Sequence, residues 1–111
     1  MIEQVRPSGL AAWLQAQSVP AIVLDVREPE ELQMASVQAD GFDLLTIPMN
    51  AVPTRLAELD PNRPVAVLCH RGSRSQQIAM YLARSGFPRV ANIAGGIDAW
   101  ALERDPDVPR Y

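Results

Sequence analysis

Cysteine and histidine are nearly absent: 111 residues contain one of each, and the two are neighbours, Cys69 and His70. A single cysteine cannot close an internal disulfide, so the fold does not depend on an oxidising compartment. An excess of positive charge is also missing. The formal net charge is −3 at pH 7, no basic face or run stands out, and nucleic-acid binding is not expected. No apolar run is long enough to span a bilayer. The opening "MIEQVRPSGL" lacks the charged-then-apolar layout of a secretion signal, so the expected location is the cytoplasm, with no membrane partner. There are no internal repeats, low-complexity segments or linkers. What is present is a 48% apolar and 21% charged composition, as in a soluble globular protein. The length suits one domain, residues 1–111, with one substantial core.

Short apolar runs alternate with helical spacing. "AIVLDV" (21–26), "LLTI" (44–47), "VAVLC" (65–69) and "VANIA" (90–94) read as strands. The first, third and fourth lack inside–outside alternation, as expected of strands covered on both faces. Four stripes have helical spacing: Leu10, Trp13 and Leu14; Val52, Leu56 and Leu59; Ile78, Tyr81 and Leu82; Ile97, Trp100 and Ala101. These stripes read as core packing. Asn50 is expected to cap the second helix, with Pro53 in its first turn, and Gly86 to end the third. Gly95 and Gly96 release the last strand into the last helix, and "DPDVPRY", within an irregular segment of about 104–111, is expected to lie along the surface. The pattern predicts a mainly parallel sheet sandwiched by helices, a three-layer α/β/α domain.

Within "LCHRGSRS" (68–75), Cys69 ends a strand, and a helix begins near Ser73 to Ser75. Ligands of open α/β sheets bind beyond the carboxyl ends of the strands. Residues 70–75 can therefore curl round the sulfur with several N–H groups inward, Gly72 allowing the backbone angles this needs. A helix N-terminus, Arg71 and Arg74 add positive charge. The loop is thus expected to favour an anion. A free thiol is only about 3% ionised at neutral pH, and making the thiolate the majority form takes about 2.7 kcal/mol.

"CHRGSR" resembles the C-x-x-G-x-R active-site loop of rhodanese-like sulfurtransferases. "LDVREPEEL" (24–32), "IPM" (47–49) and "IAGGIDAW" (93–100) are similar, in order, to further motifs of that family. The resemblance spans nearly the whole chain. It implies a five-stranded sheet in order 3-2-4-5-1, with "IEQV" as first strand and Asp25, Arg27, Gly95 and Gly96 shaping the pocket. It further implies transfer of sulfane sulfur from a small-molecule donor such as thiosulfate, through a persulfide on Cys69, to a thiol or protein acceptor, without metal or organic cofactor. His70, Arg71, Gly72, Ser73, Arg74 and Ser75 would then bind donor or persulfide. The C-x4-R spacing suits sulfur; phosphatase and arsenate-reductase cousins carry C-x5-R. The family's H-I-x-G-A type segment is missing from "MASVQADGFDLLTIP", so the resemblance specifies neither the pocket wall formed by residues 34–47 nor the choice of donor.

Plainer readings compete for several residues. Cys69 alone could be a small buried hydrophobe. His70 could be an exposed loop residue without a role, and Arg71 could simply face solvent. Ser73 and Ser75 could be ordinary helix caps. Asp25 and Arg27 read best as a pair that fixes the turn, Trp100 as core, and Glu28, Glu30 and Glu31 as a solvated helix start. A persulfide carrier or interaction module with little thiosulfate turnover is the main functional alternative. The chain is expected to be a monomer or weak homodimer.

Overall fold

The structure, a computed structural model, describes residues 1–111. The chain runs β1 (Glu3–Val5), α1 (Leu10–Gln15), β2 (Ile22–Asp25), α2 (Pro29–Met34), β3 (Asp43–Thr46), β4 (Val65–Leu68), α3 (Ser73–Arg84), β5 (Val90–Ile93) and α4 (Gly96–Glu103). The five strands form one sheet in the order β1-β5-β4-β2-β3, and every neighbouring pair is parallel. This is the expected order 3-2-4-5-1 read from the other edge. Each parallel step needs a crossover, which the intervening helices and turns supply.

The interior strands explain the lack of alternation in their sequences. Every residue of β2 and β4 is buried. Along them, side chains still point alternately to the two faces. Val23, Ala66, Leu68, Ala91 and Ile93 pack with Leu10, Trp13, Ile97 and Trp100. Ile22, Leu24, Val65 and Val67 pack with Ile78 and Leu82 of α3 on the opposite face. Cys69 keeps step with Val65 and Val67, so its side chain turns to the α3 face.

Residues 50–59 differ from the helix expected there. The segment forms two 3-10 turns, Met49–Ala51 and Leu56–Glu58, and Asn50 lies inside the first without capping anything. The Ala51 carbonyl accepts both the Thr54 hydroxyl and the Arg55 N–H at 3.0 Å. The bonds on either side, Val52 to Met49, Glu58 to Arg55 and Leu59 to Leu56, span three residues, and the helix does not continue. Val52 and Leu59 are nonetheless buried, so the apolar stripe packs without a continuous helix beneath it. The end of α3 is as expected: Gly86 has φ +97°, and the Phe87 N–H returns to the Leu82 carbonyl at 3.1 Å. Within residues 34–47, Ala35, Val37 and Phe42 join the core around Trp100.

Candidate active site

β4 delivers Cys69 to the carboxyl end of the sheet, where the chain turns through residues 70–72 into α3. Gly72 makes this turn at φ +108°, a left-handed conformation that side chains disfavour. A Cβ there would also stand 3.2 Å from the Gly95 nitrogen. The Gly72 N–H donates to Cys69 Sγ at 3.1 Å. Its neighbours' carbonyls are held elsewhere: the Ile97 N–H donates to Cys69 O at 2.9 Å and the Asp98 N–H to His70 O at 3.1 Å. The N-terminus of α4 therefore grips the loop's acceptors and turns them from the sulfur. Gly96 makes the grip possible, because a Cβ at its φ of +59° would collide with both carbonyls.

One loop amide reaches the sulfur, where several were expected. The second contact comes from Ser75, whose Oγ lies 3.1 Å from Sγ. Neither serine caps α3. Gly72 occupies the cap position, Ser73 is exposed as the first helical residue, and Ser75 is fully buried. Ser75 also donates a 2.5 Å hydrogen bond to Asn92 Oδ1 on β5. Asn92 stands out only as the polar residue of "VANIA", at a position whose alternation points it to the Cys69 face. The buried polar or charged side chains of the chain are Asp25, Arg27, Ser75 and Asn92, and all four lie around the end of β4.

Asp25 and Arg27 fix the neighbouring strand end. Arg27 donates to the Asp25 carboxylate from Nε at 2.9 Å and from Nη2 at 2.8 Å, with both side chains out of solvent. Removing one partner would strand the other charge in the interior.

Glu31 is no solvated helix residue. Its Oε1 accepts from the Glu28 N–H at 3.0 Å, closing a capping box at the start of α2. The same carboxylate takes both guanidinium nitrogens of Arg74, at 2.6 and 2.8 Å, and the Tyr111 hydroxyl at 2.7 Å. These bonds, Arg74 first, hold its carboxyl down at about 2, and they raise the Arg74 guanidinium further.

The C-terminal segment, expected along the surface, has no helix or strand beyond Glu103 but returns to the site. Val108 is buried, Arg110 pairs with Asp98 at 2.9 Å, and Tyr111 stacks on the His70 ring at 4.0 Å and 8°. His70 Nε2 meets the Tyr111 carbonyl oxygen at 2.8 Å, and Arg27 donates to the Tyr111 hydroxyl at 3.1 Å. Under this arrangement Cys69 is 1% exposed. Arg71 is exposed and lines a shallow depression of about 440 Å³ behind the loop with Gln4, Gly72, Ser73, Gln76, Asn92, Ala94 and Gly95. Tyr111 carries no signal in the sequence, and Glu31 offers only a negative charge after β2.

Comparisons with known proteins agree with this fold. The family model for the rhodanese-like domain matches residues 7–103. A protein named sulfurtransferase from Allochromatium vinosum is 34% identical, the match covering 97% of this chain and 96% of that protein. A Bacillus subtilis protein with the working name of sulfur carrier protein YrkF is 35% identical over 70% of this chain and 40% of its own length. The crystal structure of a rhodanese-like domain protein from Staphylococcus aureus superposes with a TM-score of 0.77 at 26% identity, covering 99% of each chain. With its parallel sheet, its cysteine at the tip of β4 and its two-glycine entry to α4, the chain belongs to the rhodanese-like domain family.

Proposed function

We propose that the protein is a sulfurtransferase that moves a sulfane sulfur, from thiosulfate or a similar donor, to a thiophilic acceptor through a persulfide on Cys69. The observation that supports this most is the Cys69 sulfur at the end of β4, held by the Gly72 N–H and beside the Ser75 hydroxyl, within a C-x4-R loop. In the first step the Cys69 thiolate attacks the outer sulfur of thiosulfate. The donor's S–S bond breaks, its electron pair leaves with sulfite, and Cys69–S–S⁻ remains. In the second, a nucleophilic acceptor, a thiol or a protein, takes the outer sulfur, and Cys69 departs as thiolate. Two displacements thus replace one, and no separate oxidant or reductant is consumed.

The Gly72 N–H and Ser75 would carry the charge on sulfur. Arg71, exposed and with no side-chain bond, and Arg74 would meet the sulfonate end, Arg74 by exchanging one carboxylate oxygen pair for another oxyanion. His70, Gly72 and Ser73 shape the same turn.

A second reading, persulfide carriage without efficient thiosulfate turnover, draws on the closed state of the site. Cys69 is 1% exposed and Arg74 is already engaged by Glu31, so a small anionic donor meets no open nucleophile and finds only Arg71 free among the loop's charges. The name of the Bacillus subtilis relative fits that reading too. Intact-protein mass after thiosulfate treatment, with steady-state turnover to cyanide, separates the two. A gain of one sulfur, reversed by reductant, and turnover lost in Cys69→Ser support the enzyme. Loading without turnover selects the carrier, and neither loading nor turnover sinks thiosulfate as donor.

A further inference from the structure

A row of polar side chains crosses the sheet behind the cysteine. Gln4 on β1 lies directly beside Asn92 on β5 in the parallel register. Asn92 Nδ2 donates to Gln4 Oε1 at 2.9 Å and to the Gly72 carbonyl at 3.2 Å. Gln4 Nε2 in turn faces Gln76 Oε1 at 2.7 Å and the Ile2 carbonyl at 3.3 Å. The two backbone carbonyls can only accept, which fixes the orientation of both amides. Asn92 Oδ1 is therefore the atom that faces Ser75.

That orientation settles the proton inventory. Oδ1 carries no hydrogen, so the single hydroxyl proton of Ser75 is committed to the 2.5 Å bond with Asn92. The 3.1 Å contact between Ser75 Oγ and Cys69 Sγ then requires the proton of the thiol. This wiring is satisfied when the sulfur is neutral. If the S–H bond breaks and its proton leaves to water, sulfur and Ser75 Oγ face each other as two acceptors until the hydroxyl swings from Asn92 to sulfur.

We infer that Asn92 is a positioning residue for the sulfur chemistry of Cys69, acting through Ser75: it competes with the sulfur for the one hydroxyl proton while its amide nitrogen holds the Gly72 peptide in place. The inference rests on Cys69 being the reactive group proposed above. Asn92 is 3% exposed and Ser75 fully buried, so water does not substitute freely for either bond. The charged and titratable groups at this end of the sheet are the Arg74–Glu31, Arg27–Asp25, Arg110–Asp98 and Arg6–Glu103 pairs, His70, Arg71 and Tyr111. None of them bonds to Ser75 or Asn92, which leaves the competition to these two residues and the sulfur.

The test compares iodoacetamide alkylation of Cys69 at neutral pH with that at alkaline pH, where every thiol is ionised. The ratio of the two rates reports ionisation and cancels differences in access. Asn92→Leu, similar in size and without the acceptor, releases the hydroxyl to the sulfur anion. Its ratio is expected to rise about tenfold, the effect of one hydrogen bond to a charged group. Asn92→Asp, which holds the proton more strongly and adds negative charge, lowers the ratio. Ser75→Ala lowers it as well, and in that background Asn92→Leu no longer raises it. Circular dichroism identifies any variant that fails to fold, and Asn92→Ala carries the same expectation as Asn92→Leu. An unchanged or lower ratio in folded Asn92→Leu and Asn92→Ala would overturn the inference. Because alkylation needs only the thiol, the result stands whether or not thiosulfate is turned over, and loss of the proposed transfer activity would not be mistaken for failure here.

Discussion

Arg74 spends both of its terminal nitrogens on Glu31, at 2.6 and 2.8 Å, so the loop's arginine is neutralised by an acid from a helix that begins four residues after β2 ends. The positive charge that the loop sequence advertises is held in reserve. The anionic donor proposed above would have to compete with a carboxylate for it.

Steady-state kinetics with thiosulfate read that competition. Glu31→Gln leaves Arg74 without its ion pair, and KM for the anionic donor is expected to fall severalfold. Arg74→Ala is expected to raise KM about tenfold, the scale of one charge-assisted contact. Equal KM values in the two variants would mean that Arg74, even when freed from Glu31, does not meet the donor.

The same pair makes the fold sensitive to acid. The Glu31 carboxyl is held from 4.5 down to about 2, chiefly by its bonds from Arg74. A depressed acid contributes stability that is complete above its unfolded value and disappears as pH falls through its folded one. The contribution is therefore present above 4.5 and lost between 4.5 and about 2. Melting temperatures of the wild type and Glu31→Gln should differ near neutrality and converge across that window. A constant gap would show that the ion pair does not set it.

Tyr111 ties the C-terminal segment to His70 by stacking and to Glu31 by its hydroxyl. A stacked ring pair and a hydrogen bond each contribute about 1 kcal/mol. Tyr111→Ala removes both, together with the bond from Arg27, and should speed alkylation of Cys69 at a fixed alkaline pH by about thirtyfold or more, if opening of this segment limits access. Tyr111→Phe, which keeps the stack, should fall between. No acceleration in either variant would place the route to the sulfur elsewhere.

Gly96→Ala puts a methyl group against the Cys69 and His70 carbonyls at a φ of +59°. Backbone strain and lost loop bonds together should cost about 2–4 kcal/mol, lowering the melting temperature by roughly 10–20 °C. Gly9→Ala has open space around its Cβ and serves as the tolerated control. Similar melting temperatures for the two variants would refute the account of the grip by α4.

The sheet was legible because β2 and β4 are buried on both faces and admit little but apolar residues. The 52–59 segment misled because Val52, Leu56 and Leu59 do face the core, and spacing alone does not reveal that most backbone bonds there close after three residues instead of four. Cys69, Gly72 and the glycine pair were readable since their chemistry is local. Ser75 looked like a cap because its distance from the cysteine says nothing of which way its hydroxyl turns. Glu31 and Tyr111 escaped for a different reason. Arg74 lies 43 positions beyond Glu31, and Tyr111 lies 80 beyond it, and no local pattern encodes such a meeting.

The bonds from the α4 amides to the Cys69 and His70 carbonyls have a bearing on biosynthesis. During synthesis Cys69 is in the growing chain well before Ile97 and Asp98, whose N–H groups set the turn around it. A nascent or truncated chain that stops short of them holds the thiol but not its cradle. The geometry that the proposed sulfur transfer would use is thus complete only once the last helix has docked, so the final part of the chain to be made is the part that finishes the loop around residue 69.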